Sequence, residues 1–260
     1  MASVASFRDA FAEQYEHEGS LLTARVGLRL RTDGLVTFDG LRTRAEVVTA
    51  SRMLLRVFAH PDSEGDGLTA IRNLGADRRG RAGLGNGAVF AHTDQAQNPV
   101  PPRLLFIACI TPAAAGGASM LTDGRAVYET LASEDPEALE ALGSARAAFF
   151  GAGAGHFSAI FRRNGDRVTL RLRQDELARF APAVEPHLPA LRAAIQAHTL
   201  SLTLRPGQAY LLDNHRWLHA RTAFTGNREL LRALGDPISL MALPDGFPAA
   251  RAEAACSRLN

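Results

Sequence analysis

The second half of the chain is a succession of short apolar or alternating runs cut by turn residues, and no other feature restricts the fold as much. "AAFFGA", "FSAIFRR", "DRVTLRLR", "TLSLTLRPGQAYLLDNHRWLHA" and "LLRALGDPISLMAL" follow one another between residues 147 and 243. Each run is short and is bounded by Gly, Asn-Gly or Pro-Gly, which marks strands rather than helices. "NGD" at 164–166 separates two of them and predicts a hairpin. "RLLFIACI" at 103–110 and "SMLT" at 119–122 read as further buried strands.

Helical signals gather elsewhere. "SFRDAFAEQYEHEG" at 6–19 places apolar residues three and four apart and ends on a glycine. Thr43 and Glu46 form a capping box ahead of "VVTASRMLLRVFAH", a second helix that Pro61 closes. "DGRAVYETLASEDPEALEALG" predicts a helix pair with Pro136 in a first turn, and residues 62–88 read as loop. The expectation is one α+β domain over residues 1–260, helical over about 1–60, with a jelly-roll or barrel-like sheet core over about 87–245.

Composition removes several function classes. All 29 basic residues are arginine, so neither a Schiff-base lysine for pyridoxal phosphate nor a P-loop lysine is present. The formal charge is only +2 and the arginines are scattered, so no nucleic-acid partner is expected. Two cysteines, Cys109 and Cys256, fit a reducing compartment and supply no thiolate zinc cluster. The first twenty residues are charged throughout, without a secretory signal, and no apolar stretch is long enough to span a membrane. A cytoplasmic protein is the expectation.

Three places carry candidate chemistry. His92-Thr93-Asp94 lies where an apolar run gives way to "QAQNPVPP". It reads either as part of a metal site or as a turn between strands, and the segment 95–102 either as a lid or as a surface loop. Asp213, His215 and His219 sit two and four apart, a spacing that lets one extended strand aim all three the same way. His215 and His219 are also spaced as a zinc pair. Arg228 and Arg232 share a face of the next strand; inward guanidinium groups there require an anion, whereas on an edge strand they are ordinary surface charge. "GLGNGA" at 83–88 imitates a dinucleotide-binding pattern but precedes no helix, and reads as a flexible approach to the site. Trp217 and the phenylalanines at 149, 150, 157 and 161 read as core.

His92-x-Asp94, "GGAS" at 116–119 and "LLDNHRWLHARTAFTGNRELLR" at 211–232, taken in this order, resemble the iron(II)- and 2-oxoglutarate-dependent oxygenases of the taurine-dioxygenase and clavaminate-synthase-like branch. The resemblance spans roughly residues 87–235. It implies a double-stranded β-helix in which His92, Asp94 and His219 hold iron and leave room for 2-oxoglutarate and O2. It further implies that Ser119 and Arg228 hold the distal carboxylate of 2-oxoglutarate, with Arg232 reaching toward substrate unless the two arginines exchange roles. His215 has no part in that pattern. The implied activity is hydroxylation of a small polar molecule, an amino acid or a derivative of one in specialised metabolism; desaturation, epimerisation or cyclisation use the same ligands. A metal-dependent hydrolase and a non-catalytic jelly-roll binding module are the readings from other classes.

Overall fold

A computed structural model describes residues 19–74 and 82–249. Five helices, α1 (Gly19–Thr32), α2 (Arg44–Leu54), α3 (Gly124–Glu134), α4 (Pro136–Gly143) and α5 (Leu188–Ala197), flank two antiparallel sheets. The strands of these sheets are β1 (Leu35–Leu41), β2 (Leu55–Val57), β3 (Thr69–Ile71), β4 (Val89–His92), β5 (Leu104–Thr111), β6 (Ser119–Asp123), β7 (Thr199–Leu202), β8 (Gly207–Asp213), β9 (Trp217–Arg221) and β10 (Glu229–Pro237). The larger sheet runs β1-β8-β5-β10-β2 with β3 also against β10, and the smaller runs β7-β6-β9-β4.

The apolar run of β5 explains the layering. Leu105, Ile107 and Cys109 face one way and meet Tyr210 and Leu212 of β8, Leu121 of β6, Leu202 of β7 and Trp217 of β9 in a core between the sheets. Leu104, Phe106 and Ala108 face the other way, onto Val26 and Leu30 of α1 and Val47, Ala50 and Leu54 of α2. A strand covered on both faces has no use for polar alternation, which is why it reads as continuously apolar. On β9 the alternation resumes: Trp217 enters the inter-sheet core while Leu218 faces a third core shared with Val127 and Leu131 of α3, Leu142 of α4 and Leu191 of α5. His219 therefore points inward, toward the rim of the inter-sheet space.

The predicted hairpin is present, Asn164 pairing with Arg167 across Gly165 at φ +61°. The capping box at Thr43 and Glu46 and the first-turn Pro136 are as expected. The N-terminal expectation needs correction. The helix at 6–18 lies outside the described residues, and the stretch up to residue 60 is not simply helical. β1 follows Gly34 and pairs with β8, Thr37 opposite Tyr210, so sheet begins at Leu35 rather than near residue 87. α2 likewise ends at Leu54, well before Pro61, because Leu55–Val57 extends to pair with β10. In both places a strand partner far along the chain overrides local helical periodicity. Among the described residues of the segment 62–88 there are β3 and one 3-10 turn, and the rest of them are loop.

Candidate functional site

His92 closes β4 and His219 lies within β9, paired directly across the two strands with ring centroids 4.1 Å apart. Asp94 follows two residues after β4. One imidazole nitrogen from each histidine and one carboxylate oxygen of Asp94 lie within 4.8 Å of one another, close enough to hold a metal ion. The His92 Nδ1 is 2.8 Å from the Phe90 carbonyl. A carbonyl only accepts, so Nδ1 carries the hydrogen and the Nε2 lone pair is free for a metal.

Burial pushes His219 down to about 3, and His92 adds to the shift. The ring is therefore neutral at pH 7, the state a metal ligand requires. Its Nδ1 is buried without a hydrogen-bond partner among the described residues. Burial alone would raise the Asp94 carboxyl, but the Arg232 guanidinium, joined by smaller contributions from His219, His92 and His60, more than offsets it and holds the group below the usual carboxylate range. Arg232 Nη1 donates to both Asp94 oxygens, at 3.1 and 3.4 Å. With His219 neutral, Arg232 is the charge that Asp94 meets.

The backbone at Asp94 is held as firmly as its side chain. Thr93 N–H donates to the Leu172 carbonyl at 2.9 Å. Asp94 N–H donates to Asn214 Oδ1 at 2.7 Å, and Asn214 Nδ2 donates back to the Asp94 carbonyl at 3.0 Å and to that of Pro102 at 2.9 Å. Asn214 is wholly buried. Gln95 then adopts φ +57°, an unfavourable region for a residue with a side chain, costing on the order of 1 kcal/mol.

A second group of polar residues gathers around Arg228, which is 6 % exposed. Its Nη2 donates to the Gly117 carbonyl at 3.3 Å, whereas Nη1 is buried with no hydrogen-bond partner among the described residues. Burial pushes the guanidinium pKa down, partly offset by Tyr210 and Cys109. Burial raises the Tyr210 phenol to about 12, moderated by its hydrogen bond to Ser119. The paired glycines of "GGAS" permit this approach: a Cβ at Gly117 would lie 3.1 Å from Arg228 Nε, and one at Gly116 would collide with the Ala223 carbonyl at 2.1 Å. The result is a buried cation with spare donors beside a hydroxyl, a setting that suits a carboxylate.

The family model described as "Taurine catabolism dioxygenase TauD, TfdA family" matches residues 9–234. The chain belongs to this family. Among its relatives, "Dioxygenase str8" of Strobilurus tenacellus is 28% identical over 248 residues, covering 86% of this chain and 56% of that protein. "Trimethyllysine dioxygenase" of Meyerozyma guilliermondii is 28% identical over 164 residues, covering 56% of this chain and 41% of that protein. The chain thus spans about half the length of these curated relatives. Asparagine oxygenase, solved in complex with Fe(II), 2S,3S-3-hydroxyasparagine and succinate, superposes with a TM-score of 0.68 at 15% identity, covering 86% of this chain and 93% of that chain. The non-heme iron oxygenase OrfP, solved with Fe and alpha-ketoglutaric acid, does so with 0.67 at 14%, covering 85% and 80%. At these identities the likeness is one of fold.

In this TauD/TfdA-family chain a cleft of about 750 Å³ opens onto His92, Asp94 and Arg232. His60, Asp62, Phe90, Gln95 and Glu176 also line it. His60 carries no motif in the sequence; its burial and its proximity to Asp94 come only from the folded loop. Residues 83–90 form one wall, and the carbonyls of Gly83, Gly85 and Gly87 accept from Arg221. The glycine-rich segment is thus tied down, where the sequence reading had it flexible. The segment 95–102 is braced too, by Arg171 donating to the Asn98 and Pro99 carbonyls.

Asp213, His215 and His219 are not brought together. Asp213 ends β8 in the larger sheet, and its carboxylate takes both Nε and Nη2 of Arg103 and the backbone N–H of His215. That last bond makes 213–216 a turn, so His219 starts a new alternation on β9 in the other sheet. His215 Nδ1 meets Asp245 at 2.7 Å, which removes it from any zinc pair with His219. Trp217, Phe150 and Phe161 are core as expected, but Phe157 is 45% exposed.

Proposed function

We propose that the chain is an iron(II)- and 2-oxoglutarate-dependent oxygenase that hydroxylates an unactivated C–H bond of a small polar substrate, an amino acid or a derivative of one. The observation that carries this reading is the coexistence, on one rim of the sheet pair, of the His92–Asp94–His219 cluster and the buried, incompletely partnered Arg228. We read the two sheets as a double-stranded β-helix within a single domain, on the strength of their shared core and of the fold likeness to asparagine oxygenase and OrfP. The cysteine count favours a cytoplasmic location.

In this reading His92, Asp94 and His219 hold the iron through two neutral imidazoles and one carboxylate, leaving adjacent positions open. Arg228 takes the distal carboxylate of 2-oxoglutarate, with the Ser119 hydroxyl assisting. Bound iron and 2-oxoglutarate together supply, with O2, an oxidant able to attack an unactivated C–H bond, and succinate and CO2 leave. Asn214 fixes the Asp94 backbone, Arg232 holds its carboxylate and lies on the cleft wall where a substrate anion can meet it. The cleft's residues orient the substrate and exclude water.

Incubation with iron(II), 2-oxoglutarate and O2, scored by succinate release, tests this directly. Slow substrate-independent succinate production is expected, lost in His92→Ala, Asp94→Ala and His219→Ala while each variant stays folded. Metal binding without 2-oxoglutarate binding favours a hydrolase, and binding of neither favours a non-catalytic module; both results overturn the proposal.

A further inference from the structure

Arg221 stands two residues beyond His219 on the same face of β9 and is 7 % exposed. Its guanidinium donates to the Gly83 carbonyl at 3.1 Å, to the Gly85 carbonyl at 2.9 Å and to that of Gly87. Phe224 N–H adds a bond to the Asn86 carbonyl at 3.0 Å. The wall formed by residues 83–87 is therefore fastened to the end of β9 largely through its own carbonyls. A planar guanidinium takes the three carbonyls from donors held in one fixed plane, an arrangement that a lysine ammonium on a flexible stem cannot reproduce.

Two of the three glycines of this wall are not there for space. At Gly83 and Gly87 an added Cβ would meet nothing within 4 Å. What glycine does at such open positions is widen the chain's conformational choice. The path the wall takes is thus imposed from outside, by Arg221 on three of its carbonyls and by the Leu74 and Phe224 N–H groups on those of Leu84 and Asn86.

Arg221 is also coupled to the carboxylate pocket. Its guanidinium carbon lies 4.9 Å from the centroid of the Phe224 ring, and that of Arg228 lies 5.2 Å from the same ring. Arg228 is the charge that acts on Arg221 in this buried setting. Two like charges against one ring repel through poorly screening surroundings, and a carboxylate on Arg228 cancels that repulsion.

We propose that Arg221 is a positioning residue through which a carboxylate docked on Arg228 stiffens the cleft wall at residues 83–87, so that the cavity is shaped for substrate only once the cosubstrate is in place. This rests on the reading of Arg228 as the 2-oxoglutarate clamp. The effector site and the responding wall are distinct, the shared element is the Phe224 ring with its two cations, and the coupling expected of such an arrangement is on the order of five- to tenfold.

Hydrogen exchange of peptides covering residues 83–90 tests it, on the full chain loaded with manganese(II), with and without 2-oxoglutarate. Calorimetry on the same samples records 2-oxoglutarate binding separately. In the parent, 2-oxoglutarate should slow exchange of this segment on the order of fivefold. In Arg221→Gln and Arg221→Lys the segment should exchange fast and ignore 2-oxoglutarate, although calorimetry still records its binding. Binding without any change at 83–90 in the parent, or an equal change in Arg221→Gln, overturns the coupling alone. A parent that does not bind 2-oxoglutarate overturns the clamp reading and this inference with it. Should neither Arg221 variant fold, Phe224→Leu takes their place, and a response at 83–90 equal to the parent's without the shared ring overturns the coupling.

Discussion

Arg103 and Arg228 are equally buried, at 7 % and 6 % exposure, and differ in everything else. Arg103 grips both oxygens of Asp213 at 2.8 and 2.9 Å, reaches Asp245 at 3.0 Å and donates to the Pro244 carbonyl. Arg228 has one long bond to a carbonyl and a buried Nη1 without a hydrogen-bond partner among the described residues. Taking a guanidinium out of water is costly, and the protein compensates the first fully and the second only in part. A buried charge whose partners are all supplied by the chain holds the fold together. One whose partners are incomplete is set aside for something that arrives.

The comparison breaks most easily on stability. Asp213→Ala strips Arg103 of its bidentate carboxylate, leaving only Asp245 and the Pro244 carbonyl, and should cost on the order of 3 kcal/mol in urea unfolding. Arg228→Met removes a charge that the fold only partly compensates, and its unfolding free energy should stay within about 1 kcal/mol of the parent. If Arg228→Met were as destabilising as Asp213→Ala, Arg228 would be structural and the carboxylate pocket would lose its cation.

The same variant then sharpens the comparison through ligand binding. Loss of a charge-assisted pair in a partly buried site costs on the order of 2 to 4 kcal/mol. Arg228→Met should therefore bind 2-oxoglutarate roughly thirty- to a thousandfold more weakly in an anaerobic iron(II) titration. Retained affinity in Arg228→Met with lost affinity in Arg232→Met would mean that the arginines exchange roles.

The sequence exposed one side of this comparison and hid the other. Arg228 and Arg232 stood out because their four-residue spacing on an apolar strand has a local meaning. His92, Asp94 and His219 stood out for their order in a recognisable pattern. The spacing lets Asp213 share a face with His215 and His219 only on an unbroken strand, and the hydrogen bond from His215 N–H to the Asp213 carboxylate breaks that strand. β1 was missed since its partner, β8, lies far along the chain: Thr37 pairs with Tyr210. Asn214 carries no local signal of its role, for its hydrogen bonds reach Asp94, 120 residues away.

Asn214 offers the next test. In Asn214→Asp the Asp94 N–H keeps an acceptor, but the Asp94 and Pro102 carbonyls lose their donor and meet a carboxylate oxygen that repels them. Outer partners of metal ligands are typically worth ten- to a hundredfold in affinity, so manganese(II) binding by Asn214→Asp should weaken by about that much. Unchanged metal affinity would reduce Asn214 to a packing residue.

Titration extends the contrast to the histidines. His219 is pushed from 6.5 to about 3 by burial, so the folded metal-free protein resists a proton that the unfolded chain accepts. This contribution is fully present above pH 6.5 and is lost as pH falls toward 3, with a slope of about 1.4 kcal/mol per pH unit. Urea midpoints between pH 7 and 5 should fall less steeply in His219→Gln, and parallel slopes would show that the ring is not buried neutral.

The smallest expected effect lies at Ser119. Its hydroxyl shares the pocket with Arg228 and bonds Tyr210, so it is a neutral donor beside a charged one. A neutral hydrogen bond contributes about 1 kcal/mol net, against roughly twice that or more for a charge-assisted bond. Ser119→Ala should therefore weaken 2-oxoglutarate binding only about fivefold, while Arg228 still provides most of the affinity. Because Tyr210 would lose a partner in the same substitution, Tyr210→Phe with Ser119→Ala completes a double-mutant cycle. If the Ser119 effect disappears when Tyr210 is already Phe, the hydroxyl acts by holding the phenol. If it persists, Ser119 meets the carboxylate itself, and the pocket around Arg228 has a second donor of its own.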